Sequence, residues 1–447
     1  MPAGSVMSRA LGRTTAWIAR WGGVMPLLVA EFILWTGFGA LLPIMPLYFT
    51  EHGVDIAYLG VVIAAWPAAR LFTEPIFGYI ADRTARVPLM VVGLVVAAAS
   101  VGAMVVWASP IAFVALRAAS GLGTAIYDPA ARGFLNDAAP EGRRGEVFGL
   151  YSSAQMGGIL LGPAIGGIGT AIVGSFSFVL VLTALTTFLA AGAVALRVRE
   201  LPGPARDTSN AAASRRDQAA VGSTLAEFPP ELVADRTERA YGSARPSTLR
   251  NRFLAAAILV NLAGYFGGGL YETIWALFVV DRGGSVELVG VTFAVFGLVT
   301  IVLAPYGGRV VDRRGPFPFI VFGIVVMVAM MASYPFVYEP ILYVVMVAVE
   351  AVGFAFLGPA TYLVIARGTP EGRSSTAQGV AGAAGTIGTI VASLVAGVLA
   401  ATDLSAPFFL GAAVATVLLV ITVMVAGRAL MTASPTRDPV VEPAVVS

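Results

Sequence analysis

Gly78-Tyr79-Ile80-Ala81-Asp82-Arg83-Thr84-Ala85-Arg86-Val87-Pro88 returns 230 positions later as Gly308-Arg309-Val310-Val311-Asp312-Arg313-Arg314-Gly315-Pro316-Phe317-Pro318. The same offset carries Gly93 onto Gly323, Pro110-Ile111 onto Pro340-Ile341 and Pro129 onto Pro359. It also carries Pro140-Glu141-Gly142-Arg143 onto Pro370-Glu371-Gly372-Arg373. Chance does not hold one offset over so many turn formers and charges. The chain is an internal duplication, and such self-similarity decides the architecture before any single helix is assigned.

Long apolar runs surround both copies. A membrane-spanning helix needs about 20 mostly apolar residues. Twelve runs qualify, near 25–49, 55–80, 88–107, 110–136, 146–172, 176–196, 253–279, 286–311, 317–337, 340–366, 376–401 and 406–427. The chain is 57% hydrophobic and 12% charged, where a soluble domain carries about 25% charge. No soluble fold buries that share of its residues. The expected fold is an all-α membrane protein: twelve transmembrane helices in two parallel-repeat six-helix bundles. The first bundle takes residues 1–197 and the second 253–430, with a polar linker at 198–252 and a tail at 431–447. The linker reads as a tether, with one short helix around Pro230–Tyr241.

Arginines set the orientation, since basic residues favour the cytoplasmic side. Arg9, Arg13 and Arg20 precede the first span. Arg83 and Arg86, Arg143 and Arg144, Arg313 and Arg314, and Arg367 and Arg373 mark connections on that same side, whereas the opposite side holds only Arg282. A multi-pass protein of the inner membrane with both termini in the cytoplasm is expected. The first span is too long for the apolar core of a cleavable signal peptide.

The repeated loop, with these spans, resembles the major facilitator superfamily over essentially the whole chain outside the linker and tails. That superfamily's signature is Gly-x-Leu-x-Asp-Arg-x-Gly-Arg, from which this loop departs at Ala85 and Val87. In the fifth span, Gly158-Ile-Leu-Leu-Gly162-Pro163-Ala-Ile-Gly166-Gly167 is similar to the antiporter motif of the twelve-helix drug:proton exporters. Its counterpart in the eleventh span, near Gly388 and Ser393, lacks the pattern. Arg117 with Gly121-Leu-Gly123, and Leu42-Pro43-Ile-Met-Pro46, are similar to further motifs of those exporters. The resemblance implies alternating access, with the first, fourth, seventh and tenth helices lining a central cavity. It also implies a latch of Gly78, Asp82, Arg83, Arg86 and Asp137 that holds an outward-open form, Asp82 facing a helix N-terminus across the bundle. Loop charge serving topology alone is the simpler reading of those residues. For Gly158, Gly162, Pro163, Gly166 and Gly167, the implied role is a seal between the halves, and the simpler reading is close helix packing.

Ionisable residues at membrane depth cost roughly 2.5–3.5 kcal/mol each even on the lenient insertion scale. They are Glu31, Arg70, Glu74, Arg117, Asp128, Glu272 and Glu350. Glu31, Arg117, Glu272 and Glu350 fall one on each cavity-lining helix, which makes them the candidates for proton coupling and substrate contact. Glu272 and Glu350 both remain open as the coupling acid, Glu350 lying nearer the midplane. The alternative is that one of them merely neutralises Arg117. Arg70 and Glu74, four apart, suit a structural pair, and Asp128 suits hydration. Trp35, Phe38, Tyr127, Tyr265, Phe266, Tyr271, Trp275, Phe354 and Phe356 are placed around these acids, a surface suited to lipophilic cations.

Several classes fall away. Cysteine is absent and His52 is the single histidine, which excludes thiolate chemistry and histidine-rich metal sites. No metal, cofactor or catalytic residue is expected. All 28 basic residues are arginine, so a P-loop, which needs lysine, is impossible. A net charge of +2 offers nothing to nucleic acid. The expected partners are the bilayer, protons and a small-molecule substrate, and a monomer is expected. The leading reading is a proton-driven exporter of amphipathic, cationic small molecules. A lipid or glycolipid carrier or a solute importer is the alternative, and a polytopic membrane enzyme a remote one.

Overall fold

The computed structural model describes residues 23–140, 143–200, 252–369 and 374–432. The linker from 201 with its expected short helix, the Pro370–Arg373 loop, Arg9, Arg13, Arg20 and the tail from 433 lie outside the described residues. The first bundle holds α1 (Met25–Leu41), α2 (Met45–Glu51), α3 (Ile56–Ala81), α4 (Arg86–Val106), α5 (Pro110–Ala138), α6 (Arg144–Val173) and α7 (Ser177–Arg197). The second holds α8 (Arg252–Asp281), α9 (Val286–Arg314), α10 (Phe317–Ser333), a 3-10 turn at Tyr334–Phe336, α11 (Leu342–Arg367), α12 (Ser374–Ala400) and α13 (Ala406–Thr432).

Eleven of these helices are long and apolar enough to cross a membrane, and α1 and α2, bent by 50°, make a twelfth when the pair is counted as one span. The first span, read from the sequence as a single apolar run near 25–49, is thus broken in two. Pro43 lacks the N–H that would continue the ladder, and Pro46 fits the first turn of a new helix. Elsewhere prolines remain inside their helices, at Pro67, Pro75, Pro129, Pro163, Pro305 and Pro359.

The duplication reappears as paired contacts. A side-chain carbon on Gly93 would stand 2.6 Å from Gly123 O, and one on Gly323 would stand 2.9 Å from Gly353 O. On Gly78 it would meet Pro129 Cβ at 3.9 Å, and on Gly308 Pro359 Cβ at 4.0 Å. The connections Gly53 and Gly283 repeat as well, with φ of 82° and 81°, where a side chain would be strained. Asp55 and Ser285 then cap α3 and α9 by accepting from Ala57 N at 2.8 Å and Leu288 N at 3.3 Å. Because spanning helices alternate in direction, the turns at 52–55, 107–109, 174–176, 282–285 and 401–405 lie at one end of the bundles. The 82–85 and 315–316 turns lie at the other.

Candidate functional site

The bundles meet at the end that carries the 52–55 and 401–405 turns. A side-chain carbon on Gly60 of α3 would stand 2.0 Å from Ser393 O of α12, and one on Gly397 would stand 2.8 Å from Gly60 N. The matching crossing joins α6 to α9: Gly167 would meet Gly290 Cα at 2.9 Å, and Gly290 would meet Pro163 O at 2.6 Å. Ile56 and Phe176 pack against the second bundle's core, while Leu277 and Val286 pack against the first bundle's. This is the closed end. At the other end Gly78 and Gly308 meet only prolines of their own bundles.

The glycine face of α6 is divided between two neighbours. Gly158, Gly162 and Gly166 stand on α1: added side chains would lie 2.7 Å from Phe32 O, 2.5 Å from Ala40 N and 2.2 Å from Ala40 O. Gly167 turns to α9 in the other bundle. Pro163 between them leaves the carbonyl of Ile159 without its helical donor. That oxygen would lie 3.2 Å from a side chain on Gly39, so α1 comes close where the ladder is interrupted.

Three carboxyl groups sit in three different settings. Glu31 is fully buried and accepts from Trp35 Nε1 at 2.8 Å, from Gln155 Nε2 at 2.6 Å and from the Tyr127 hydroxyl. Its partners come from α1, α5 and α6, all in the first bundle. Glu350, also buried, accepts from Tyr271 OH at 2.6 Å and Tyr334 OH at 2.7 Å, both in the second bundle. Glu272 alone reaches across: its carboxylate stands 3.4 Å from Arg117 Nη2, joining α8 to α5. Two of the three are thus buried carboxyls held by neutral donors, and the third stands in a charge pair between the bundles.

Residues 27–338 and 257–444 match the sequence profile described as the Major Facilitator Superfamily. The chain belongs to that superfamily. It is a secondary transporter and a multi-pass membrane protein, in a family of carriers rather than enzymes. Among its relatives is the staphyloferrin B transporter of Staphylococcus aureus strain NCTC 8325, 32% identical over 36% of this chain and 40% of that one. The quinolone resistance protein NorA of S. aureus strain MRSA252 is 26% identical over 30% of this chain and 35% of that one. These alignments therefore span less than half of either relative. The crystal structure of the nucleoside transporter NupG shares the fold, with a TM-score of 0.68 at 12% identity, covering 90% of this chain and 99% of that one.

Within this major facilitator fold, the residues singled out in the sequence fall into groups. Arg86 donates to Asp137 at 2.5 Å, whereas Asp82 has no ion pair among the described residues. Arg83 stacks on Tyr79, 3.4 Å from the ring centre. Arg117 and Glu272 form the inter-bundle pair, and Glu31 and Glu350 stand apart from it with their own donors. Arg70 and Glu74 do pair, at 3.0 Å. Asp128 departs from the hydration expected of it: it is buried and pairs with Arg70 and, at 3.8 Å, with Arg132. Arg132 also reaches Glu74 at 3.4 Å, so the expected pair is a network of four.

Three aromatics expected around the cavity turn inward instead, Phe266 joining the second bundle's core. Trp275 is buried, packs edge-on against Tyr334 at 4.9 Å and donates to Thr292 Oγ1 at 2.9 Å. Tyr127 is buried against Glu31. Sequence reasoning missed Gln155, Tyr334, Trp66 and Arg132. Arg132 was within reach, since it stands four residues after Asp128 on one helix face. Gln155 had a weaker signal, an amide in an apolar span one turn before Gly158.

Proposed function

We propose that this carrier exports amphipathic small molecules, cations among them, in exchange for protons, with the closed end facing outward. The observation that carries the reading is the Arg117–Glu272 pair. It joins the bundles, so one proton on Glu272 changes what holds them together. A cation entering the cavity favours the ionised acid and expels that proton. The α6 motif supports exchange, because its glycines sit at the joint of α1, α6 and α9. The arginine-bearing connections support a cytoplasmic position for the open end and both termini, in the inner membrane. The two bundles act as rocking units tethered by 198–252, within one monomer. Relatives named for staphyloferrin B transport and quinolone resistance support a small-molecule cargo. The test is proton release from proteoliposomes on adding lipophilic cations. Release that saturates with cation supports the reading, and cation transport with no proton movement overturns it.

Asp82 belongs to the latch of the other form. Here it has no ion pair among the described residues, so replacing it removes little from this form and weakens only its outward-open counterpart. Asp82→Asn should shift the carrier toward the form open to the cytoplasm with its thermal stability unchanged. Maleimide labelling of one introduced cysteine at the open end reads the shift, on a background free of cysteine. Unchanged labelling with normal transport would remove the latch.

Pro163→Ala gives α6 back the N–H that Ile159 O lacks, stiffening the helix beside Gly39 and Gly290. Midpoint temperature should rise slightly and transport rate fall several-fold, because the helix would resist bending there. If transport is kept and only stability moves, the motif is packing alone.

A further inference from the structure

Of the five first-bundle polar groups that are buried without a hydrogen-bond partner among the described residues, three gather around Arg117: Trp66 Nε1, Arg117 Nε and Ser120 Oγ, with Tyr151 and Thr170 lying on α6. Those three share one seam. The Arg117 guanidinium carbon lies 5.9 Å from the Trp66 ring centre. Ser120 is one turn along α5 from Arg117, and a side chain on the adjacent Gly121 would touch Trp66 O at 2.5 Å. Arg117 is 3% exposed, and its contacts with Glu272 Oε1 and Ile63 O are both 3.4 Å long, outside the usual hydrogen-bond range of about 2.7–3.2 Å. A second guanidinium, Arg70, stands 4.7 Å over the same indole.

Burying a cation with so few close acceptors is costly. The two nitrogen groups can only donate, and the hydroxyl can donate as well. One water accepts from at most two of these donors and leaves the guanidinium charge in place, whereas an anion can accept from all three and neutralise it once Glu272 is displaced. The carboxylate within reach, Glu272, comes from the other bundle, so it is withdrawn when the closed end opens. Arg117 then stays behind in the first bundle with still fewer acceptors.

We propose that the Trp66–Arg117–Ser120 seam binds a small monovalent anion, a halide or the carboxylate of a transported molecule, in competition with Glu272. This goes beyond proton exchange and does not depend on it. Ligands that bind the native form raise its midpoint temperature with concentration, so the test is thermal unfolding of the purified full chain at constant ionic strength. The titrants are chloride, bromide, acetate and benzoate, with methanesulfonate as the balancing anion. Wild type should show saturable stabilisation, and Glu272→Gln should bind about tenfold more tightly, within the usual range for two coupled sites. Arg117→Gln should lose the saturable response. Should that variant fail to fold, Trp66→Phe and Ser120→Val, each removing one donor, should weaken it instead. Halide-selective stabilisation identifies a halide site, and stabilisation by benzoate above chloride identifies a substrate carboxylate. Equal shifts in wild type and all three donor variants, or no saturation in either wild type or Glu272→Gln, would overturn the proposal and leave water in the seam.

Discussion

Gly60→Ala is expected to hold the carrier open at its closed end and to stop transport almost completely. The added carbon would lie 2.0 Å from Ser393 O, 2.8 Å from Ser393 C and 3.0 Å from Leu394 Cα. All three are backbone atoms, so no rotamer change relieves the clash, and α3 and α12 must separate. Overpacking of this kind costs about 1–3 kcal/mol, which moves a two-state balance roughly five- to 150-fold away from the sealed form. Gly397→Ala should act in the same direction, since its carbon would stand 2.8 Å from Gly60 N. Gly264→Ala is the control: nothing lies within 4 Å of the added carbon, and transport should be unchanged. Spin labels on the 52–55 and 401–405 turns measure the separation directly. A Gly60→Ala protein with the wild-type distance and wild-type transport would show that this crossing is no seal.

The architecture is legible because lipid makes the code simple. A run of about 20 apolar residues has few alternatives to a spanning helix, and an offset of 230 then organises all twelve runs. Contacts such as Gly93 with Gly123 and Gly323 with Gly353 repeat at that offset because both copies must pack helices closely at the same places. The break between α1 and α2 is harder to foresee. Prolines in α3, α5, α6, α9 and α11 leave those helices continuous, and nothing local to Pro43 announces that it ends one.

The site is legible only in part, and for a physical reason. Burial cost flags Glu31, Arg117, Glu272 and Glu350 as residues that need partners, but a partner on another helix leaves no spacing to read. Gln155 is 124 residues from Glu31 and Glu272 is 155 from Arg117. Depth and contacts point in different directions: Glu350 lies nearer the midplane by its position along the helix, yet both of its donors lie in its own bundle. Trp275 shows the same limit: lining helices turn part of every face inward, and side-chain type does not tell which part.

Glu272→Gln should abolish uphill, gradient-driven transport while sparing exchange of substrate across zero gradient. Glutamine keeps the size of the side chain and removes its charge, so the inter-bundle contact with Arg117 becomes permanently what protonation makes it only in passing. A carrier that cannot tell the protonated from the unprotonated state still rocks and still binds substrate, but no longer draws work from the proton gradient. Glu350→Gln changes a carboxyl whose hydrogen bonds come from Tyr271 and Tyr334, so it should alter the second bundle's stability and leave most of the coupling in place. Glu31→Gln, in the first bundle, should weaken affinity for cations more than coupling. Accumulation driven by a pH gradient and counterflow without one, measured on the three variants in proteoliposomes, separate these outcomes. The loss expected for Glu272→Gln is at least about tenfold in accumulation, equivalent to 1.4 kcal/mol of coupling. Full gradient-driven accumulation in Glu272→Gln, with its loss in Glu350→Gln, would move the coupling site to the tyrosine-held acid of the second bundle.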